Sequence, residues 1–89
     1  MIEIGFSSSF KRAYKRRIKG KPELEEKFWQ ITEIFKADPF DARLKTHKLS
    51  GKLKDLWSFT IEFDLRVLFY FAEENKAVFV DIGKHDVVY

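Results

Sequence analysis

The chain has no cysteine among its 89 residues. Disulfide bonds and thiolate metal sites are therefore excluded, which fits a reducing compartment. No apolar run approaches the ~20 residues of a membrane-spanning helix. The start of the chain, Met1 to Gly5, lacks the basic region that opens a signal peptide. We therefore expect a cytoplasmic protein that does not act at a membrane.

Other absences narrow the chemistry. The chain has no glycine-rich phosphate loop, no dinucleotide-binding fingerprint and no meaningful Ser-His-Asp spacing. A chain of 89 residues is also too short to enclose a large cavity, so we expect one domain over residues 1–89 with a shallow groove. Its ten phenylalanines supply the core that this length alone would not.

Charge is unevenly distributed, although the net charge is only +3. No acidic residue lies between Ile4 and Pro22, and the basic residues there are Lys11, Arg12, Lys15, Arg16, Arg17, Lys19 and Lys21. A second basic segment surrounds His47 and contains Arg43, Lys45, Lys48, Lys52 and Lys54. Together the two segments indicate a polyanion or an acidic protein as partner. The alternative is a solvated helix face followed by an ordinary basic loop.

Two helices are predicted in the first half of the chain. An apolar residue at every fourth position from Phe6 to Ile18 predicts an amphipathic helix that ends at about Lys19. Pro22 suits the first turn of a second helix, which Asp38 and the proline after it bring to an end. Because only about two residues join the helices, we expect an antiparallel helical hairpin.

The predicted strands surround this hairpin and cover residues 2–4, 57–63, 66–72 and 77–82, with a further short strand within 44–49. The alternation from Trp57 to Phe63 puts every second residue, Phe63 included, on a buried face. Arg66 and Tyr70 fall on the side of their strand that faces away from the helices. The predicted fold is a two-layer α+β domain, an antiparallel sheet in a β-α-α-β-β-β meander with the hairpin packed on one face.

Two histidines are candidates for acid–base chemistry. His47 sits among cations that would attract phosphate and disfavour its own protonation, so it can act as a base near neutral pH. His85 follows Gly83-Lys84 at a strand end, and histidine is the commonest general acid or base. The alternative for His47 is an ordinary surface histidine without a catalytic role. A metal site is not expected, because the surrounding lysines and arginines oppose a dication.

Three further residues could serve a phosphate substrate. Arg66 at a strand start could stabilise negative charge that develops on a phosphoryl oxygen, or it could simply pair with Asp64 or Glu62. Asp64 is otherwise typical of a hairpin turn. Tyr89 could stack on a base or hold the scissile phosphate, or it could pack on the sheet.

The order of short motifs resembles the RelE/ParE superfamily of toxins from type II toxin–antitoxin pairs, in particular its YafQ-like branch. The matching segments are Ser8-Ser9-Phe10-Lys11-Arg12, then Leu44, His47, Leu49 and Gly51, then Asp64, Arg66, Val67, Leu68 and Tyr70, and finally Asp81-Ile82-Gly83-Lys84-His85 with Tyr89. Each segment alone is only moderately specific. Their order within a chain of this length carries the resemblance, which runs nearly end to end.

The resemblance implies an endoribonuclease (mRNA interferase) that cuts mRNA on the ribosome by a metal-free attack of the 2′-OH. It implies catalytic roles for His85 and His47 as acid and base, Arg66 as charge stabiliser, Asp64 as orienter and Tyr89 as positioning ring. No cofactor is implied. The residues expected to contact RNA or the ribosome are Lys45, Lys48, Lys52, Lys54, Lys84, Arg12 and Arg16. Thr60 departs from the pattern, because that branch often has a histidine there.

The resemblance also implies partners: a cognate antitoxin, the ribosome and mRNA. The toxin is expected to be a monomer within a toxin–antitoxin hetero-oligomer, with the basic first helix as a suitable dock. Two alternatives stay open. The same fold serves ParE-like inhibitors of gyrase, and a catalytically degenerate homologue would bind antitoxin or RNA without cutting.

Overall fold

A computed structural model of the chain describes residues 1–53 and 55–84. The predicted site residues Lys54, His85 and Tyr89 lie outside this description. The elements in chain order are β1 (Glu3–Phe6), α1 (Ser8–Arg17), α2 (Pro22–Ala37), β2 (His47–Lys48), β3 (Trp57–Glu62), β4 (Leu65–Glu73) and β5 (Lys76–Lys84). Two single-turn 3₁₀ helices, Ala42–Leu44 and Gly51–Leu53, flank β2.

Local signals set the ends of the two helices. The Ser7 hydroxyl accepts a hydrogen bond of 3.0 Å from the Phe10 N–H and so caps α1. The helix ends at Arg17, slightly before the predicted end, and Gly20 takes a left-handed φ of 86° in the connection. Pro22 opens α2 as predicted, where its missing N–H has no helical partner to lose.

The sheet has five strands in the order β1-β5-β4-β3-β2. Its β3-β4-β5 part is the predicted antiparallel meander, and β2 adds to β3 at only two positions. Strand β1 joins the other edge, where it runs parallel to β5. The predicted α+β fold is confirmed, and this parallel edge makes the sheet mixed.

The core lies between the helices and one face of the sheet. The Phe35 ring of α2 packs against three rings of the sheet, with centroid distances of 4.8 Å to Phe59, 4.9 Å to Phe69 and 5.3 Å to Phe79. All four rings are fully buried. Since each such ring removes roughly 150–250 Å² of surface from water, this cluster anchors the two layers together.

One core prediction is wrong. Phe63, expected on the buried face, is 96% exposed. The pairing of β3 with β4 shifts register between Thr60 and Glu62, and the strand ends at Glu62. Phe63 and Asp64 then form the turn, so the alternation that begins at Trp57 does not extend to Phe63.

Replacing Phe35 should test the ring cluster. Phe35→Ala should lower the free energy of unfolding by about 3–5 kcal/mol, because it leaves a cavity that three rigid neighbouring rings cannot fill. Urea unfolding followed by circular dichroism measures this change. The matched control is Phe63→Ala, which should stay within about 0.5 kcal/mol of the parent because that ring is solvated. Equal losses for both variants would contradict the core assignment.

Candidate active site on the open face of the sheet

The face of the sheet that points away from the helices, here called the open face, gathers the predicted polar residues. His47 pairs with Ser58 across β2 and β3, and Thr60 pairs with Arg66 across β3 and β4. Paired residues share a face, and so do residues two apart in one strand. These four residues therefore lie on one face, opposite Phe59. Of the four, His47 is exposed, Thr60 and Arg66 are half-buried, and Ser58 is buried.

His47 and Arg66 are close on this face. Their Cα atoms are separated by two strand spacings and one two-residue step, which together give about 12 Å. The structure thus brings together an imidazole and a guanidinium that lie 19 positions apart in the chain. Both side chains are long enough to serve one bound substrate.

Arg66 is held by the strand next to it. Its Nη1 donates a 2.9 Å hydrogen bond to the Thr60 hydroxyl oxygen. Its Nε is buried and has no hydrogen-bond partner among the residues that the structure describes. A buried donor without a partner costs free energy, so the guanidinium is only partly satisfied in this arrangement. Such a group is suited to bind an anion, because a planar fork of donors matches the oxygens of a phosphate.

His47 is exposed at the start of β2. Its Nδ1 lies 3.0 Å from the backbone carbonyl oxygen of Lys45, which can only accept a hydrogen bond. In the neutral ring Nδ1 therefore carries the hydrogen, and Nε2 is the basic nitrogen. Lys45 has a left-handed φ of 54°, uncommon for a residue with a side chain. A constrained backbone thus sets the tautomer of the candidate base.

A second contact stiffens the loop that leads to His47. The Arg43 guanidinium donates from Nε (3.0 Å) and Nη2 (2.9 Å) to the two carboxylate oxygens of Asp41. These bonds, with the Arg43 backbone N–H, lower the pKa of Asp41 from 3.8 to about 2. Because the pKa is lowered on folding, the contact stabilises the fold above about pH 4 and is lost as the pH falls toward 2.

Asp64 is a hairpin-turn residue in the structure, which is the alternative to a catalytic role that its sequence context offered. It lies in the β3–β4 turn with a left-handed φ of 66°, which aspartate tolerates better than most residues. Among the described residues, no hydrogen bond or ion pair joins its carboxylate to Arg66. Asp64 borders the open face at one end, in a groove that also contains Arg66.

The predicted RNA-contacting cations fall into two groups. Lys45, Lys48 and Lys52 are exposed around β2, beside His47. Arg16 and Lys84 line a groove of about 280 Å³ next to the β3–β4 turn, and Arg12 is exposed on α1. Lys54, His85 and Tyr89 lie outside the described residues, so their predicted roles stay predictions.

Sequence reasoning missed what Thr60 does. Its place in the strand put it on a polar face, and it was noted only as a departure from a histidine. The structure shows that its hydroxyl orients Arg66. The hydrogen bond follows from the pairing of Thr60 with Arg66 across two strands, and this pairing leaves no local mark in the sequence.

A model of the family described as YafQ, a bacterial toxin of type II toxin–antitoxin systems, matches residues 2–89. The chain belongs to the YafQ toxin family. No curated protein sequence matches it.

Solved structures share the fold of this YafQ family member. They include a metal-bound toxin from Helicobacter pylori, with a TM-score of 0.78, 24% identity and 100% of each chain covered. YafQ from Escherichia coli gives a TM-score of 0.75 at 17% identity, covering 100% of this chain and 99% of that one. The YoeB–YefM complex from Staphylococcus aureus gives 0.75 at 17% identity, covering 96% and 98%.

The described residues offer neither a metal site nor a membrane-spanning helix. Within residues 1–53 and 55–84, no three His, Asp or Glu side chains are grouped so that they could hold a metal ion. In the same part of the chain, no helix has the length and apolar character needed to cross a membrane.

Removing the Thr60 hydroxyl should test its hold on Arg66. Thr60→Val keeps the shape but leaves a second guanidinium donor without a partner, so the free energy of unfolding should fall by about 1–3 kcal/mol. Thr60→Ser keeps the hydroxyl and is the matched control. Chemical denaturation gives the stability, and nitrogen NMR of the arginine side chain should show a freer Arg66 in Thr60→Val alone. Indistinguishable spectra for the two variants would argue against this role.

Proposed function

We propose that this YafQ family toxin is a ribosome-dependent endoribonuclease that cleaves mRNA without a metal ion. The observation that carries the proposal is the Arg66 guanidinium, held by Thr60 on the same open face as His47. A gyrase inhibitor has no need for an imidazole and a guanidinium on one face. The chain would act as a single cytoplasmic domain, residues 1–89.

The reaction needs few protein groups because RNA carries its own nucleophile. A base takes the proton of the 2′-OH, and the oxygen forms a bond to the adjacent phosphorus. The bond from phosphorus to the 5′-oxygen then breaks, and an acid gives that oxygen a proton. The products are a 2′,3′-cyclic phosphate and a 5′-hydroxyl end.

Each residue then has a role in the proposal. The basic Nε2 of His47 suits proton transfer, and Arg66 would stabilise the charge that develops on the phosphoryl oxygens. His85 would be the counterpart of His47, Asp64 the orienter and Tyr89 the ring that positions the substrate. Gly83 near the end of β5 pairs with Arg66 of β4 through the backbone.

Loss of the guanidinium should remove most activity. Arg66→Ala should slow cleavage of mRNA on programmed ribosomes by about 10²–10³-fold, the usual loss for one oxyanion-stabilising donor. His47→Ala and His85→Ala should slow it by about 10²–10⁴-fold. Mapping of the cut ends should find cyclic phosphates, and a chelator should leave the rate unchanged.

The matched control for these variants is Lys36→Ala. Lys36 is a cation on the helix side of the molecule, where it pairs with Glu33 at 3.7 Å. Full cleavage by Arg66→Ala and both histidine variants would exclude the catalytic assignment. Inhibition of DNA supercoiling without any RNA cut would favour a ParE-like activity instead.

The second part of the proposal is an antitoxin partner that docks on the helix side. An apolar groove of about 390 Å³ lies between β1, α1 and α2. Its lining includes Phe6, Phe10, Tyr14 and Trp29, and its rim carries Lys11, Lys15 and Lys19 together with Glu25. Trp29 is 47% exposed although its Nε1 donates a 3.2 Å hydrogen bond to the Tyr14 hydroxyl.

The apolar lining and the basic rim of this groove indicate which kind of protein segment would bind there. Lys11, Lys15 and Lys19 recur every fourth residue and so lie along one side of the groove. An amphipathic segment with apolar anchors and acidic neighbours is complementary to it. We propose that the cognate antitoxin supplies this segment, and that one toxin monomer is bound at each such site in the hetero-oligomer.

Changes in the groove should weaken antitoxin binding only. Trp29→Ala should raise the Kd for the antitoxin encoded next to this gene by about 30-fold or more, as expected for a buried aromatic anchor. Lys15→Glu should act in the same direction through charge. Calorimetric titration measures both, and Arg43→Ala, on another surface, is the control. An unchanged Kd in both groove variants would place the antitoxin elsewhere.

A further inference from the structure

Phe63 is a fully solvated aromatic ring at the tip of the β3–β4 turn. It is 96% exposed, and no ring contact joins it to the aromatic core of the described residues. The turn itself depends on Asp64, whose left-handed backbone reverses the chain. Burial of the Phe63 ring therefore does not stabilise the fold. Its position in a tight turn makes the ring project from the surface.

Two basic grooves meet at this ring. Phe63 is one of the residues that line the groove of about 280 Å³, and four cations line the same groove: Arg16, Arg17, Lys21 and Lys84. It also lines a groove of about 900 Å³ with four others, Lys27, Arg43, Lys45 and Arg66. Glu62 and Asp64 belong to both grooves, and Arg43 is already paired with Asp41. Cations outnumber acids in each groove, and the larger groove contains the Arg66 of the candidate site.

We infer that Phe63 is a stacking platform for an unpaired base of single-stranded RNA that runs from the Arg66 groove into the Arg16–Lys84 groove. This inference rests on the proposed function, since it assumes an RNA substrate at Arg66. Proteins that hold single strands combine cationic tracks for the phosphates with aromatic rings for the bases. Here the ring stands between two such tracks, one of which begins at the candidate site.

The surroundings favour RNA over a protein at this position. Among the described residues, Phe63 is the one apolar side chain that lines both grooves, and four cations line each groove beside it. The other apolar lining residues belong to one groove each and are buried or half-buried: Leu24 and Leu65 in the smaller groove, and Ile31, Ile34 and Ile61 in the larger. The centre of a protein interface is poor in charged residues and rich in contiguous apolar surface. The groove around Trp29, whose lining includes four aromatic rings, has that character. An aromatic ring can stack on any of the four bases, because every base has a π face. Phe63 would therefore add affinity for RNA without selecting a codon.

The test uses a 2′-O-methyl RNA oligonucleotide, which the toxin cannot cleave, with 2-aminopurine at successive positions. Phe63→Leu should weaken binding by about tenfold or more and abolish fluorescence quenching at one position near the scissile step. Phe63→Trp should restore both. The slope of log Kd against log salt should not change, because no phosphate contact is lost, whereas Lys84→Ala should reduce it by about one.

Three outcomes would overturn the stacking role of Phe63. Equal affinity and equal quenching for Phe63→Leu and the parent overturn it, while cleavage that depends on Arg66 would still support the proposed function. Loss of antitoxin binding in Phe63→Leu, with RNA binding retained, overturns it in favour of a protein contact. If the parent neither binds the oligonucleotide nor cuts mRNA on ribosomes, the proposed function fails and this inference fails with it.

Discussion

The pairing register of β3 with β4 is the constraint on which the rest of the structure depends. Thr60 opposite Arg66 and Phe59 opposite Val67 put polar side chains on one face and apolar ones on the other. A slip by one residue would turn Arg66 into the aromatic core and Val67 out into water. The ring cluster around Phe35 makes that slip unfavourable. The Arg66 guanidinium would enter the apolar core and lose its hydration without gaining hydrogen bonds in return. Core packing on one face therefore fixes the chemistry of the other.

Much of this could be predicted from sequence, because the signals are local. Ser7 caps α1, Pro22 opens α2, and the alternation from Trp57 to Ile61 marks a half-buried strand. Each of these depends on neighbours within one turn or one strand. The order of the short motifs then identified the superfamily, and with it the arrangement of helices on the sheet.

The remaining features depend on residues far apart in the chain. The parallel pairing of β1 with β5 joins segments some 70 positions apart, and no local pattern encodes it. Phe63 was placed in the core because alternation was extended through a register shift that only the partner strand reveals. The bond from Arg66 to Thr60 arises from the same pairing. Periodicity predicts the face of each residue only within a regular strand, while long-range pairing decides where that regularity ends and which residues are in contact.

The aromatic groove around Trp29 and the open face of the sheet lie on opposite layers of this small domain. An antitoxin segment bound only in this groove, as proposed, would leave the surface of Arg66 and His47 uncovered, so binding and inhibition would be separable. An antitoxin that contacts only the helices would therefore leave the candidate site on the open face accessible to substrate. Under the proposed docking, full inhibition would require a second stretch of the antitoxin that reaches the open face. The length of its connection would govern how tightly activity is held in check.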